Sequence, residues 1–194
     1  RMDDRYDLVT GVFSSAPEKS KHAAKQFGIQ ENRSYPDFET LLDRESARTD
    51  GIDVVAIMTP NDTHFPYAMA ALERGFDVIC DKPMTNTIAE ARTLHESVLE
   101  SSVVFCLTHN YTGYPMVRQA KAMIEAGELG DIRMVQVEYV QGGKAKPIEQ
   151  TPTAKLPWRF DPERGGPSLV MGDIGTHAHN LARYMTGLEV TEIA

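Results

Sequence analysis

Apolar positions fall into short, nearly continuous runs separated by stretches of helical spacing, and this alternation sets the first expectation for the fold. Residues 6–13 (YDLVTGVF), 52–59 (IDVVAIMT), 76–80 (FDVIC) and 103–109 (VVFCLTH) each read as a strand, rich in β-branched and aromatic side chains. The second run is almost wholly apolar, as suits a strand covered on both faces. Between the runs lie helix signals. Ser14 or Ser15 caps a helix that takes Pro17 in its first turn and closes at Gly28. Pro36-Asp37 opens a shorter helical piece through Leu42. Tyr67, Ala70, Ala71 and Arg74 share a helical face that ends at Gly75, and Thr87-x-x-Glu90 is a capping box for a helix to about Ser101. Strand, helix, strand, helix is the pattern of right-handed βαβ units on a parallel sheet.

After His109 the rhythm changes. Residues 116–126 read as a helix closed by Gly127, and 132–140 (IRMVQVEYV) alternate as an antiparallel strand with one covered face does. Residues 141–167 are loop-like around a lone Trp158. A helix is predicted over 173–185, stopped by Gly187, with another strand starting at 190. The expected class is α/β, a partial Rossmann-type parallel sheet domain (1–109) followed by part of an α/β domain with a mostly antiparallel sheet (110–194).

Composition narrows the function classes. The 194 residues are 41% hydrophobic and 25% charged, with a net charge of −8. That balance argues against nucleic acid or an anionic membrane as partner. No apolar run approaches the roughly 18 residues a membrane span needs. The first residues hold no signal-peptide core, and two cysteines read as free thiols make a reducing cytoplasm the expected location. Cys80 and Cys106 sit in apolar runs and are expected as buried free thiols. A Gly-x-Ser-x-Gly elbow, a Walker loop and a CxxC pair are all absent.

Candidate chemistry gathers at strand ends. Pro83 stops the strand at Asp81-Lys82, which fixes a lysine at the carboxyl edge of the sheet, where open α/β sheets bind ligands; the plainer alternative is a solvated charged pair after a strand. The turn Thr59-Pro60-Asn61-Asp62-Thr63-His64 follows another strand, and its amides and helix start suit a ligand phosphate or ribose; the plainer alternative is a helix-capping turn. Asp173 and His177, four apart on one helical face, place a carboxylate beside an imidazole, which would orient it and raise its pKa as befits a general base. The alternative is a helix cap and a core histidine. His179 falls on another face, so no metal site is expected. Trp158-Arg159 can cover a ring and bind an anion, or simply anchor a loop.

Taken in order, IDVVAIMTPNDTH (52–64), AALERG (70–75), CDKP (80–83), Asn110-Tyr111 and GDIGTH (172–177) resemble the Gfo/Idh/MocA family, the glucose–fructose oxidoreductase and inositol dehydrogenase group. The resemblance implies a nicotinamide-binding Rossmann domain, NAD or NADP as cofactor, and Lys82, Asp173 and His177 as the catalytic set. It implies a sugar, cyclitol or other polyol as substrate, and homo-oligomerisation through the second domain. Ser14, Ser15, Lys19, Thr59, Pro60, Asn61, His64, Asp81, Lys82, Asn110, Trp158 and Arg159 become the cofactor-side residues. Three departures stand out. Asp81 replaces the family's glutamate, Asn180 stands where an aspartate often follows the histidine, and the GxGxxG loop with its preceding strand is absent. The chain therefore reads as a fragment of a longer protein that by itself binds dinucleotide poorly and shows little activity. Ser14-Ser15 with Lys19 at the second strand's end is compatible with either cofactor. The alternative function is a non-catalytic, cofactor-sensing regulator on the same scaffold; a metal-dependent lyase or hydrolase using His177 and His179 is a third.

Overall fold

A computed structural model describes residues 5–142 and 157–193. The chain divides into two compact units. The first comprises Arg1–Ile57, Pro66–Ile79 and Arg92–Cys106, and the second comprises Met58–Phe65, Cys80–Ala91 and Leu107–Ala194.

One sheet is formed by β1 (Val54–Ile57), β2 (Asp77–Asp81) and β3 (Phe105–Thr108), in that spatial order. Sequential strands lie side by side, and α3 (His64–Glu73) and α4 (Ile88–Glu100) make the crossovers that a parallel Rossmann-type sheet requires. The Asp77 amide donates to the Asp53 carbonyl (3.1 Å) and the Val78 amide to the Val104 carbonyl (2.9 Å). Asp77 also accepts from the Val104 amide through Oδ1 (2.8 Å), which anchors the start of β3.

Local chemistry accounts for the helix bounds of the first unit. α1 (Pro17–Gln26) has proline in its first turn, and Gly28 beyond its end takes φ 75°, which L side chains rarely adopt. Ser14 turns back to accept from the Ala16 amide (3.2 Å) and does not cap the helix itself. α2 (Phe38–Ser46) is capped by Asp37, whose Oδ1 accepts from the Thr40 amide (2.7 Å). The box before α4 forms as read: the Thr87 amide donates to Glu90 and the Glu90 amide donates back to Thr87 Oγ1. Buried apolar residues of this unit include Ala24, Leu41, Leu42, Val55, Ile57, Ala68, Val78 and Leu94. Inside them lies an ion pair. Arg33 forks onto Glu45, Tyr35 Oη donates to Glu45 Oε1 (2.8 Å), and Thr10 Oγ1 donates to the Arg33 carbonyl (2.6 Å).

In the second unit, α5 (Pro115–Glu125) packs with α7 (Thr176–Thr186), and Lys121 Nζ reaches the Tyr184 carbonyl (3.2 Å). A short helical turn, α6 (Pro162–Gly165), lies between them in sequence.

Three strand expectations need correction. Residues 6–13, 132–140 and 190–193 join no ladder among the described residues. Alternation marks a segment able to pair, but a strand exists only where a neighbour supplies the second half of its hydrogen bonds. Met134, Val140 and Ile193 are correspondingly exposed, so the expected antiparallel sheet is not formed among these residues. The loop expectation over 141–167 falls partly on 143–156, outside the described residues. Within the described residues no helix is long and apolar enough to cross a membrane.

The thiols also split. Cys80 on the central strand is buried, but Cys106 on β3, at the edge of the described sheet, is exposed. Burial, with the Asp81 charge adding to it, pushes the Cys80 thiol up to about 12. Ellman's reagent should therefore titrate Cys106 at once in the native chain and Cys80 only after denaturant is added.

Candidate active site

The second unit gathers the carboxyl ends of β1 and β2 with residues of the 158–173 segment around a cavity of about 310 Å³. Its lining includes Thr59, Pro60, Asn61, His64, Asp81, Lys82, Trp158, Arg159 and Asp173. Lys82 is held firmly in this lining. Its Nζ donates to Asp173 Oδ1 (2.5 Å) and to the Asp173 carbonyl (2.6 Å), and its side chain is 18% exposed. An ammonium has three N–H donors, so two acceptors from one residue fix its direction and leave one proton to aim elsewhere.

The helix carrying Asp173 is not regular. Met171–Gly175 form a π-helical turn that passes into α7 at Thr176. Within this turn Asp173 gives its carboxylate to Lys82. His177 is instead enclosed by rings: Tyr111 lies 4.6 Å away and His109 5.7 Å away, both edge-on. Asp173 does pull the His177 pKa upward, as expected, but the net shift is downward. Burial first, then the Lys82 ammonium and His109, hold His177 below the ordinary 6.5, against a smaller upward pull from Asp173. His109 is lowered as well, by burial, Lys82 and His179. Each ring keeps a buried Nδ1 with no hydrogen-bond partner among the described residues.

A pH dependence follows with a definite sign. Folded values below 6.5 mean that the unfolded chain takes up protons first as pH falls, so this contribution to stability is fully present above pH 6.5 and is lost as pH drops to the depressed folded values. Urea midpoints should be flat from pH 7 to 8 and decline below about 6.5. Replacing both histidines by glutamine should flatten that decline.

The remaining expected residues divide. His64 is 1% exposed, with Nδ1 2.7 Å from the Pro83 carbonyl and Nε2 2.9 Å from the Thr59 carbonyl. Both ring nitrogens are thus engaged by main chain. Asn61 Nδ2 donates to the Gly165 carbonyl (2.8 Å), and Asp62 pairs with Arg164 (3.4 Å), which tie the 161–166 turn to this loop. Asp81 Oδ1 accepts from Thr108 Oγ1 (2.7 Å). The Arg159 guanidinium stacks 4.5 Å over the Trp158 ring at the cavity wall. Asn110 is exposed at the start of a 3₁₀ turn and does not line the cavity. Ser14, Ser15 and Lys19 belong to the first unit, also outside the cavity lining. His109 and the Tyr111 ring were missed as partners of His177, although they follow β3 just as Lys82 follows β2. Among the described residues, no group of three or more histidine, cysteine or acidic side chains could hold a metal ion.

Residues 2–109 match the oxidoreductase family of NAD-binding Rossmann fold, and residues 117–194 match the GFO/IDH/MocA C-terminal domain. The chain belongs to the Gfo/Idh/MocA oxidoreductase family. A Bacillus subtilis oxidoreductase is 36% identical to this family member over its whole length, with 49% of the relative covered. Levoglucosan dehydrogenase of Pseudarthrobacter phenanthrenivorans is 35% identical over 91% of the chain and 42% of its own. Among solved structures, an inositol dehydrogenase homologue from Azotobacter vinelandii in complex with NAD+ superposes with a TM-score of 0.89 at 42% identity, covering 95% of this chain and 47% of that one. The chain spans about half the length of the curated relatives it matches. The cavity fits the cofactor this family's first domain binds. Its volume is that of a small-molecule site, and ammonium, guanidinium, hydroxyl and amide groups converge on it, a donor set suited to ribose hydroxyls and a carboxamide.

Proposed function

We propose that the protein is an NAD(P)-dependent dehydrogenase acting on a secondary alcohol of a sugar, cyclitol or related polyol. The observation that carries the reading is the Lys82–Asp173 pair in one cavity-lining cluster, with a neutral-leaning His177 behind it in the same unit. Similarity to a levoglucosan dehydrogenase and to an inositol dehydrogenase homologue supports the substrate class.

When bound, the nicotinamide supplies the hydride acceptor, or the donor in the reverse direction. The protein's own groups do the rest. As the C–H bond breaks, the hydroxyl proton passes to the imidazole of His177, which burial and the nearby ammonium keep unprotonated at neutral pH. The third N–H of Lys82 points a positive charge at the oxygen on which negative charge develops. Asp173 holds that ammonium in place, and Trp158 with Arg159 covers the cavity wall against water. A homo-oligomer and a cytoplasmic location complete the reading.

The test is a panel of sugars, cyclitols and anhydrosugars offered with NAD+ and NADP+ to the protein at its full natural length, followed by absorbance of the reduced nicotinamide. Turnover of at least one polyol is expected. Tight nucleotide binding with no turnover of any of them would favour a cofactor-sensing regulator.

A further inference from the structure

His64 was read from the sequence as a cofactor ligand, yet its position is that of a structural tie between two loops. The ring is 1% exposed and bridges two carbonyl oxygens, that of Thr59 after β1 and that of Pro83, the residue following Lys82. Carbonyls only accept, so a neutral ring donates to one of them and a protonated ring to both. No donor capacity remains for a ligand.

The loop it grips is knit together already. Thr63 Oγ1 makes hydrogen bonds to Thr59 Oγ1 and to the Pro60 carbonyl, each at 2.6 Å. Among the described residues, the loop after β2 has no such internal brace at Lys82; its own side-chain bond runs from Thr85 to the Thr87 carbonyl. Its lysine is fixed at the ammonium end by Asp173 and at the backbone end by the His64–Pro83 contact. We infer that His64 is the positioning residue for Lys82, fixing its backbone at the sheet edge so that the ammonium meets the reacting oxygen.

A side chain held at one end only sweeps through several rotamers, and catalysis is sensitive to displacements of about 1 Å. Losing the tie should therefore lower kcat more than it weakens cofactor binding. This inference rests on the dehydrogenase reading, so the experiment has two arms.

In the first arm, His64→Ala and His64→Gln are made in the protein at its full natural length. His64→Ala should lower kcat on the best polyol about thirtyfold, with the Kd for NADH, from its fluorescence, changing less than threefold. His64→Gln returns one amide donor and should recover at least a third of the lost logarithm of kcat. In the second arm, trinitrobenzene sulfonate labelling of Lys82, read by peptide mass mapping, should accelerate at least fivefold in His64→Ala and less in His64→Gln.

Unchanged labelling overturns the proposal, whatever the activity. So does an NADH Kd weakened more than tenfold with kcat retained, which would make His64 a cofactor residue. If the parent turns over no polyol, the dehydrogenase reading fails while the labelling arm still decides the tie. Should His64→Ala fail to fold, His64→Gln decides, and labelling equal to the parent's with unaltered kcat refutes the proposal.

Discussion

Replacing Lys82 by alanine is expected to lower kcat for polyol oxidation by about 10²–10³-fold, the usual loss when one preorganised donor to a developing oxyanion is removed. The size of the effect rests on how the ammonium is held. Two of its three protons go to the Asp173 carboxylate and carbonyl, and its side chain is only 18% exposed. A charge fixed in direction and screened by little water stabilises a transition state at no reorganisation cost. Lys82→Arg should rescue little, because the planar guanidinium is longer and distributes its donors in a fork. Steady-state kinetics of the full-length protein checks both, with KM for the cofactor expected to move less than kcat. Full turnover in Lys82→Ala would remove the lysine from the chemistry.

The second large effect concerns stability. Glu45→Ala should destabilise the first unit by about 3–5 kcal/mol, because it strands the Arg33 guanidinium in the interior. Arg33 is 7% and Glu45 1% exposed, and Tyr35 Oη loses its acceptor at the same time. For a chain of this length that corresponds to roughly 6–20 °C in Tm. The double variant Arg33→Met with Glu45→Leu removes both charges at similar volume and should recover most of the loss. Urea unfolding of the three proteins measures it. A Glu45→Ala midpoint equal to the parent's would mean that water already reaches the pair.

Much of the architecture was legible because it depends on neighbours in sequence. Apolar runs located β1, β2 and β3, and Pro17, Asp37 and the Thr87–Glu90 box placed the starts of three helices. Lys82 and Asp173 could be singled out because proline ends a strand and glycine and polar residues open a helix locally. The site's electrostatics were not legible. Spacing on one helix suggested Asp173 and His177 as partners, but it could not show that Asp173 pairs with Lys82 and that burial outweighs its pull on His177. Likewise nothing in the turn rich in polar residues told that both nitrogens of His64 meet main-chain carbonyls.

The sequence by itself determined where β1, β2 and β3 lie and which side chains stand at their carboxyl ends, since periodicity, proline and capping act over a few residues. Only the tertiary structure decided whose charge meets whose. Lys82 and Asp173 are joined across 91 positions, and His177 and His109 are lowered by burial and then by a lysine distant in sequence. Hydrogen bonds and Coulomb terms depend on distance and burial in space, which the order of residues does not contain.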